Sequence, residues 1–219
     1  MNTIEERIRQ LKQTIPAGIT LVAVSKNQPP PVVMEAYQTG HRVFGENKAQ
    51  ELTAKAPNLP EDIEWHFIGH LQTNKVKSII PVVSMIHSVD SPRLLKEIVK
   101  VARKQNREVD CLLQFHIARE ESKYGLTIES AHQMLQALTT DDLQPVTIRG
   151  VMGMATFTDD AEQIASEFEL LKKIFHELKE RHFHHSPAFN QLSMGMSDDY
   201  TIAIGKGSTM VRIGSVIFG

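Results

Sequence analysis

Two hydrophobic periods alternate along this chain. Short apolar runs with few polar interruptions, the pattern of strands buried on both faces, fall at residues 19–25, 42–46, 64–68, 84–89, 108–117, 147–154, 189–194 and 210–217. Between them lie segments of helical spacing that begin near Pro31, Lys48, Asn74, Ser91, Ile128, Asp159 and Ser197. An amphipathic helix precedes the first run, from Thr3, a plausible N-cap with Glu6 three residues on, to Gln13. Local signals support several of these starts. Ser91-Pro92 offers a cap followed by proline at the first helical position. Asp159-Asp160 puts negative charge at the head of the segment Glu162 to His182, where Ile164, Phe168, Leu171, Phe175 and Leu178 make one core-facing stripe.

Eight strand segments alternating with helices, without a Gly- or Pro-rich linker, predict one (β/α)8 TIM-type barrel domain over 1–219, with an extra N-terminal helix. A doubly wound open sheet is the alternative, but nothing after the first run resembles G-x-G-x-x-G. A chain of 219 residues is short for a barrel, so its loops must be tight.

Composition changes the picture little. Hydrophobic content of 41% and charged content of 23% are those of an ordinary globular protein, and a net charge of −2 gives no reason to expect nucleic acid or anionic membrane as partner. The single Cys111 excludes an internal disulfide framework and lies in an apolar run, as a core residue rather than a nucleophile. The N-terminal Met1-Asn2-Thr3-Ile4-Glu5-Glu6-Arg7 is charged and helical, unlike a signal peptide, and no apolar run reaches membrane-spanning length. These features point to a reducing cytoplasm.

Candidate chemistry gathers at the ends of the runs. The first run, Ile19 to Ser25, stops at Lys26, which puts an amine at the carboxyl end of a strand, where α/β folds collect ligands. A neutral lysine amine attacks carbonyls to form Schiff bases, although taken alone Lys26 reads as a solvated lysine opening a loop. After the second run, Asn47 either presents its amide to a ligand or caps the following helix, the commoner outcome. His66 and His70 straddle a strand end without the glutamate of H-E-x-x-H, so zinc is not expected there. His182, His184 and His185 end a polar helix and read as solvated. Gly207-Ser208-Thr209 and Ser193 supply glycine and hydroxyl groups suited to phosphate, yet the tripeptide precedes the last run, and such a motif is usually a turn. Arg212 sits in an apolar run and needs a partner, either an acidic neighbour such as Glu46 or a ligand acceptor.

Several motifs in order carry a resemblance. Val22-Ala23-Val24-Ser25-Lys26, Phe44-Gly45-Glu46-Asn47, Trp65-His66-Phe67-Ile68-Gly69-His70-Leu71-Gln72-x-Asn74-Lys75, His87-Ser88-Val89-Asp90, Ser193-Met194-Gly195-Met196-Ser197-x-Asp199 and Gly207-Ser208-Thr209-x-Val211-Arg212-Ile213-Gly214-x-x-Ile217-Phe218-Gly219 resemble the pyridoxal phosphate homeostasis proteins. These are single-domain relatives of the N-terminal barrel of alanine racemase, and the resemblance spans Ile19 to Gly219. It implies a pyridoxal 5′-phosphate barrel with Lys26 as the Schiff-base lysine, Asn47 beside the ring and Arg212 facing the pyridine nitrogen. It further implies that Ser193, Met194, Gly207, Ser208 and Thr209 hold the phosphate. The chain departs from the family at Phe115-His116, where relatives read valine-asparagine before Glu121-x-Lys123-x-Gly125, which leaves His116 without an assigned role. A lesser departure is Gly150-Val151-Met152-Gly153 in place of Gly-Leu-Met.

Cofactor binding does not by itself make an enzyme. Arg212 can only donate, which favours an unprotonated pyridine nitrogen and a weaker electron sink. A racemase also needs a second acid/base, and of Tyr37, Tyr124 and Tyr200 none is an obvious candidate. The expectation is a non-enzymatic protein, with no catalytic residues and no metal, that stores or delivers the cofactor and so influences amino-acid and keto-acid pools. Recipients would be apo pyridoxal enzymes, with no nucleic-acid or membrane partner, and the protein would be a monomer or weak dimer. A small amino-acid racemase is the alternative.

Overall fold

A computed structural model describes residues 3–119 and 124–219. Met1, Asn2, Glu121 and Lys123 of the motifs above lie outside the described residues. In chain order the elements are α1 (Ile4–Thr14), β1 (Thr20–Val24), α2 (Pro30–Gln38), β2 (Val43–Glu46), α3 (Ala49–Lys55), a 3-10 turn (Ala56–Asn58), β3 (Glu64–Phe67), α4 (Thr73–Ile79), β4 (Val83–Val89), α5 (Pro92–Gln105), β5 (Val109–Gln114), α6 (Ile128–Gln136), α7 (Thr140–Leu143), β6 (Val146–Met152), α8 (Ala161–His182), β7 (Gln191–Ser193), α9 (Tyr200–Gly205), β8 (Met210–Ile213) and α10 (Ser215–Phe218). The strands pair in parallel and in sequence order, and β1 meets β8, so the sheet is a closed barrel rather than an open doubly wound sheet.

Local chemistry explains the helix starts. Thr3 and Glu6 form a reciprocal capping box on α1. Ser91 caps α5 ahead of Pro92, and the Asp160 carboxylate accepts from the N–H groups of Glu162 and Gln163 at the head of α8. All five stripe residues of α8 are buried. Arg7 on α1 donates to the Ile217 carbonyl at 3.0 Å and to that of Gly219, which ties the extra helix to α10.

Boundaries differ from expectation where apolar content is ambiguous. The last strand ends at Ile213, not 217, because Gly214 breaks it and Ser215–Phe218 turn into α10. A short apolar run such as Val216-Ile217-Phe218 has no period of its own to separate strand from buried helix. The fifth strand stops at Gln114, the seventh spans only Gln191–Ser193, and the helix expected at Ser197 begins at Tyr200. The short α7, opened by a capping box at Thr139, has no counterpart in the sequence pattern.

The barrel interior is layered. Val22, Met85, Leu112, Met152 and Met210, one from each of five strands, form an apolar cluster separate from the larger core between barrel and helices. Side chains two residues on share the same face of a strand. That second layer, one step nearer the carboxyl ends, reads Val24, His87, Gln114, Met154 and Arg212. Within a single step along the strands the interior therefore gains three polar side chains, His87, Gln114 and Arg212.

Candidate functional site

The polar layer opens into a cavity of about 520 Å³ at the carboxyl ends of the strands. Lys26, Asn47, His70, Arg212 and Ser215 are on its wall. Each is held by identifiable contacts below or beside it.

Lys26 follows β1 and is exposed, but its backbone is bracketed on both sides. Before it, Ser25 is buried; its hydroxyl donates to Glu46 Oε1 at 2.6 Å, and its carbonyl accepts from Lys55 Nζ at 2.9 Å. Lys55 also pairs with Glu46 at 2.6 Å, an ion pair that is buried at both ends. After Lys26, Asn27 adopts a left-handed φ of 61° and its N–H donates to Glu51 Oε2 at 2.9 Å. That bond, with help from Lys48, holds the Glu51 carboxyl below its usual range.

Asn47 does not cap a helix. The N-cap of α3 is Lys48, without a side-chain cap bond, and Asn47 Oδ1 is buried with no hydrogen-bond partner. A Cβ at Gly69 would stand 2.1 Å from the Asn47 carbonyl oxygen, so only glycine lets the loop after β3 cross so close.

Arg212 is 3% exposed and reaches into the barrel. Its Nη1 donates to Ser193 Oγ at 2.6 Å and its Nη2 to the Gly153 carbonyl at 3.1 Å. Glu46, engaged with Lys55, is not its partner. Burial lowers the guanidinium to about 10, opposed through space by the Asp199 carboxylate. A buried cation whose bonded acceptors are all neutral is expensive unless something further accepts from it.

Ser193, Met194, Gly207, Ser208 and Thr209 are not on the cavity wall. The Ser193 hydroxyl lies between Arg212 and His87, and Met194 is buried with its N–H on the Met210 carbonyl. Gly207-Ser208-Thr209 stands at the opposite end of the barrel, where Thr20, the first residue of β1, donates to the Thr209 carbonyl. From Thr209 to Gly214 the chain rises roughly 16 Å at strand spacing, too far for one phosphate to meet both ends. The buried Ser208 hydroxyl has three carbonyl acceptors at 2.8–3.2 Å, on Leu192, Met194 and Met210, and Thr209 Oγ1 accepts from Leu192 N at 2.8 Å. These groups close the seam between β7 and β8, which pairs only Ser193 with Met210.

From the last two loops Met196, Ser197, Asp198, Gly214 and Ser215 reach the mouth, and of these sequence reasoning assigned none to the site. Ser197 Oγ accepts from Gly214 N at 3.3 Å, joining the loops. The signal existed: barrels often bind phosphate after strands seven and eight. Extending the last strand to 217 hid Gly214-Ser215 inside it.

The histidines separate. His66 is inside the barrel against His87, while His70 is at the rim with Nδ1 3.1 Å from Asp90 and its ring stacked on Tyr124 at 4.0 Å. Tyr124 lines the cavity; Tyr37 bonds Asp62 away from it. His182 is not simply solvated, since its Nε2 lies 2.7 Å from His132 Nδ1, and His132 contacts Glu177. Among the described residues no group of three or more His, Cys, Asp or Glu is arranged to hold a metal, and no helix is long and apolar enough to cross a membrane. Burial drives the Cys111 thiol well above its ordinary range, in keeping with a core residue. His116 Nδ1 is buried without a partner, and we have no physical account of it.

The profile of the alanine racemase N-terminal domain family matches residues 1–219. The pyridoxal phosphate homeostasis protein of Aquifex aeolicus is 37% identical, covering 100% of this chain and 96% of its own. The protein of that name from Escherichia coli K12 is 33% identical, covering 100% and 97%. Among solved structures, PipY of Synechococcus elongatus PCC7942 with PLP bound superposes with a TM-score of 0.90 at 34% identity, over 99% of this chain and 100% of that one. Alanine racemase from Bartonella henselae, with covalently bound pyridoxal phosphate, shares the fold with a TM-score of 0.73 at 14% identity, over 99% of this chain and 58% of that one.

Proposed function

From the premise that this chain belongs to the pyridoxal phosphate homeostasis proteins, within the alanine racemase N-terminal domain family, we propose that it binds pyridoxal 5′-phosphate at the barrel mouth and stores or delivers it rather than catalysing a reaction. One observation carries the reading: an amine, an unmatched amide oxygen and a buried guanidinium without a bonded anion share one cavity. The donor set fits the group. Bound there, the cofactor supplies an electrophilic aldehyde carbon. Lys26 Nζ is the amine that joins it, with its backbone fixed by the Glu46–Lys55 pair below. Arg212, an obligate donor, meets the pyridine nitrogen, and Asn47 lies beside the ring with an unmet acceptor. Ser197, Gly214 and Ser215, on the cavity wall, take the phosphate. Recipients are apo pyridoxal enzymes, and through them the protein influences amino-acid and keto-acid pools.

The deciding measurement is the visible spectrum of wild type and Lys26→Ala with added cofactor, before and after borohydride. Wild type is expected to gain an absorbance band that reduction fixes to the chain, and Lys26→Ala is expected to show neither. A band in Lys26→Ala that borohydride fixes to the chain as it does in wild type would sink the assignment. A racemase remains the second reading because His70, oriented by Asp90 and stacked on Tyr124, puts titratable groups on the cavity wall. Following the chirality of L-alanine and other amino acids separates the two, since turnover abolished by Lys26→Ala overturns the non-enzymatic proposal.

A further inference from the structure

Beneath the mouth, four side chains from four strands form one continuous chain. Arg212 Nη1 donates to Ser193 Oγ at 2.6 Å, Ser193 Oγ lies 3.1 Å from His87 Nδ1, and His87 Nε2 lies 3.0 Å from His66 Nδ1. Arg212 is 3% exposed, Ser193 and His87 0%, and His66 4%, so water is no ready substitute for any link. The proton positions follow from Arg212, which can only donate. If His87 Nδ1 also donated to Ser193, the serine hydroxyl hydrogen would lose the imidazole acceptor facing it in a closed interior. The arrangement that meets each group has Ser193 donating to His87 Nδ1, His87 Nε2–H donating to His66 Nδ1, and His66 carrying its own proton on Nε2.

We propose that His87 and His66, acting through Ser193, are positioning residues that keep Arg212 charged, free of a bonded anion and aimed at an acceptor in the cavity, each imidazole in its Nε2–H form. The aim at the pyridine nitrogen rests on the cofactor reading above. The physical reason for histidine is charge. A carboxylate at position 87 would pair with the guanidinium through Ser193's place and absorb much of its field, whereas a neutral imidazole fixes direction and leaves the field for the ligand. Burial keeps both rings neutral, lowering His66 to about 4, and it lowers His87 with the added repulsion of His66 and Arg212. No step of proton transfer is required; the chain acts by holding geometry.

Nitrogen-15 NMR of the unliganded wild-type protein at neutral pH tests the chain without any substitution. Nε2–H signals for both His87 and His66 are expected, and an Nδ1–H or doubly protonated His87 overturns the proposal. The aim of Arg212 is tested by titrating His87→Leu and His87→Gln with pyridoxal phosphate and with an analogue carrying C–H in place of the ring nitrogen. His87→Leu should bind the cofactor about tenfold more weakly, the share of one hydrogen bond, and bind the analogue as wild type does. His87→Gln, which retains an acceptor and a donor, should recover most of that loss. Equal losses for both ligands, or no loss, overturn the proposal. Wild type binding neither ligand would remove the cofactor reading, and the aim with it, while the tautomers still decide the chain.

Discussion

Two glycine-serine segments flank β8, one at each end of the barrel, and they have opposite fates. Ser208 at the foot has three carbonyl acceptors around its hydroxyl and is buried. Ser215 at the mouth borders the cavity, beside an amide oxygen on Asn47 that meets nothing and a guanidinium on Arg212 that meets no bonded anion. Residue types at the two ends are nearly the same. What separates them is hydrogen-bond closure: the foot is satisfied, whereas the mouth carries a buried acceptor that no protein group meets. The contrast extends to charge, since Glu46 and Lys55 neutralise each other beneath Lys26 while Arg212 is braced by neutral partners.

The largest way to break this contrast is to open the buried ion pair beneath the mouth. Lys55→Met leaves the Glu46 carboxylate buried without its counter-charge, and the Ser25 carbonyl loses its donor. Breaking a buried pair from one side costs roughly 3–5 kcal/mol. Denaturant unfolding should report a loss of that order, and Glu46→Gln with Lys55→Met together should recover part of it. A loss below about 1 kcal/mol would mean that the pair does not brace Lys26.

Acid comes next, and it strikes both ends. His41 near the foot and His66 inside the barrel are each lowered to about 4 by burial, from an ordinary 6.5. With the folded-state value depressed, the unfolded chain binds the proton first. Stability is therefore intact above pH 6.5 and falls as pH drops toward 4, by roughly 3 kcal/mol for each ring. Urea unfolding at pH 7 and pH 5 should show the decline, and His41→Gln should remove only part of it, because the buried rings of His66 and His87 are also lowered and stay in place. A flat profile would contradict burial of neutral rings.

The barrel was legible because eight apolar runs and intervening helical spacings leave little else for a chain to do. Lys26, Asn47 and Arg212 were singled out together by the resemblance, and the structure puts all three on one cavity wall, although locally the first two read as a solvated lysine and a helix cap. The phosphate side was not. Gly207-Ser208-Thr209 and Gly214-Ser215 are alike as strings, and only the end of β8 says which faces the mouth. That end hangs on Val216-Ile217-Phe218, whose apolarity suits strand and buried helix equally. The chain of Ser193, His87 and His66 was hidden for another reason. Its links join residues 21 and 106 apart in sequence, and no local pattern encodes a meeting inside a cylinder.

At the foot, Ser208→Ala removes a buried donor and leaves carbonyls of Leu192, Met194 and Met210 to share fewer partners. The expected cost is about 1–3 kcal/mol in unfolding free energy, with cofactor affinity unchanged. The β7–β8 seam has a single residue pair in register, so the loss should appear as faster amide exchange there before elsewhere. Weakened cofactor binding at unchanged stability would return Ser208 to the phosphate site and dissolve the contrast between the two ends.

The smallest effect is the most discriminating. Ser215→Ala and Ser197→Ala each delete one hydroxyl from the mouth, where neither closes a strand seam. Ser197 also accepts from Gly214 N, so its removal loosens one loop joint, whereas Ser215 begins the short α10. Each should weaken pyridoxal phosphate about tenfold, equivalent to about 1.4 kcal/mol, while pyridoxal lacking the phosphate binds as it does to wild type. Unfolding free energy should move by less than about 0.5 kcal/mol in Ser215→Ala. The pair of ligands matters because a general loosening of the mouth would weaken both alike, and only a phosphate contact distinguishes them. Equal loss for the two would mean that these serines shape the rim without touching the phosphate, and that its oxygens are met by the backbone of the same loops.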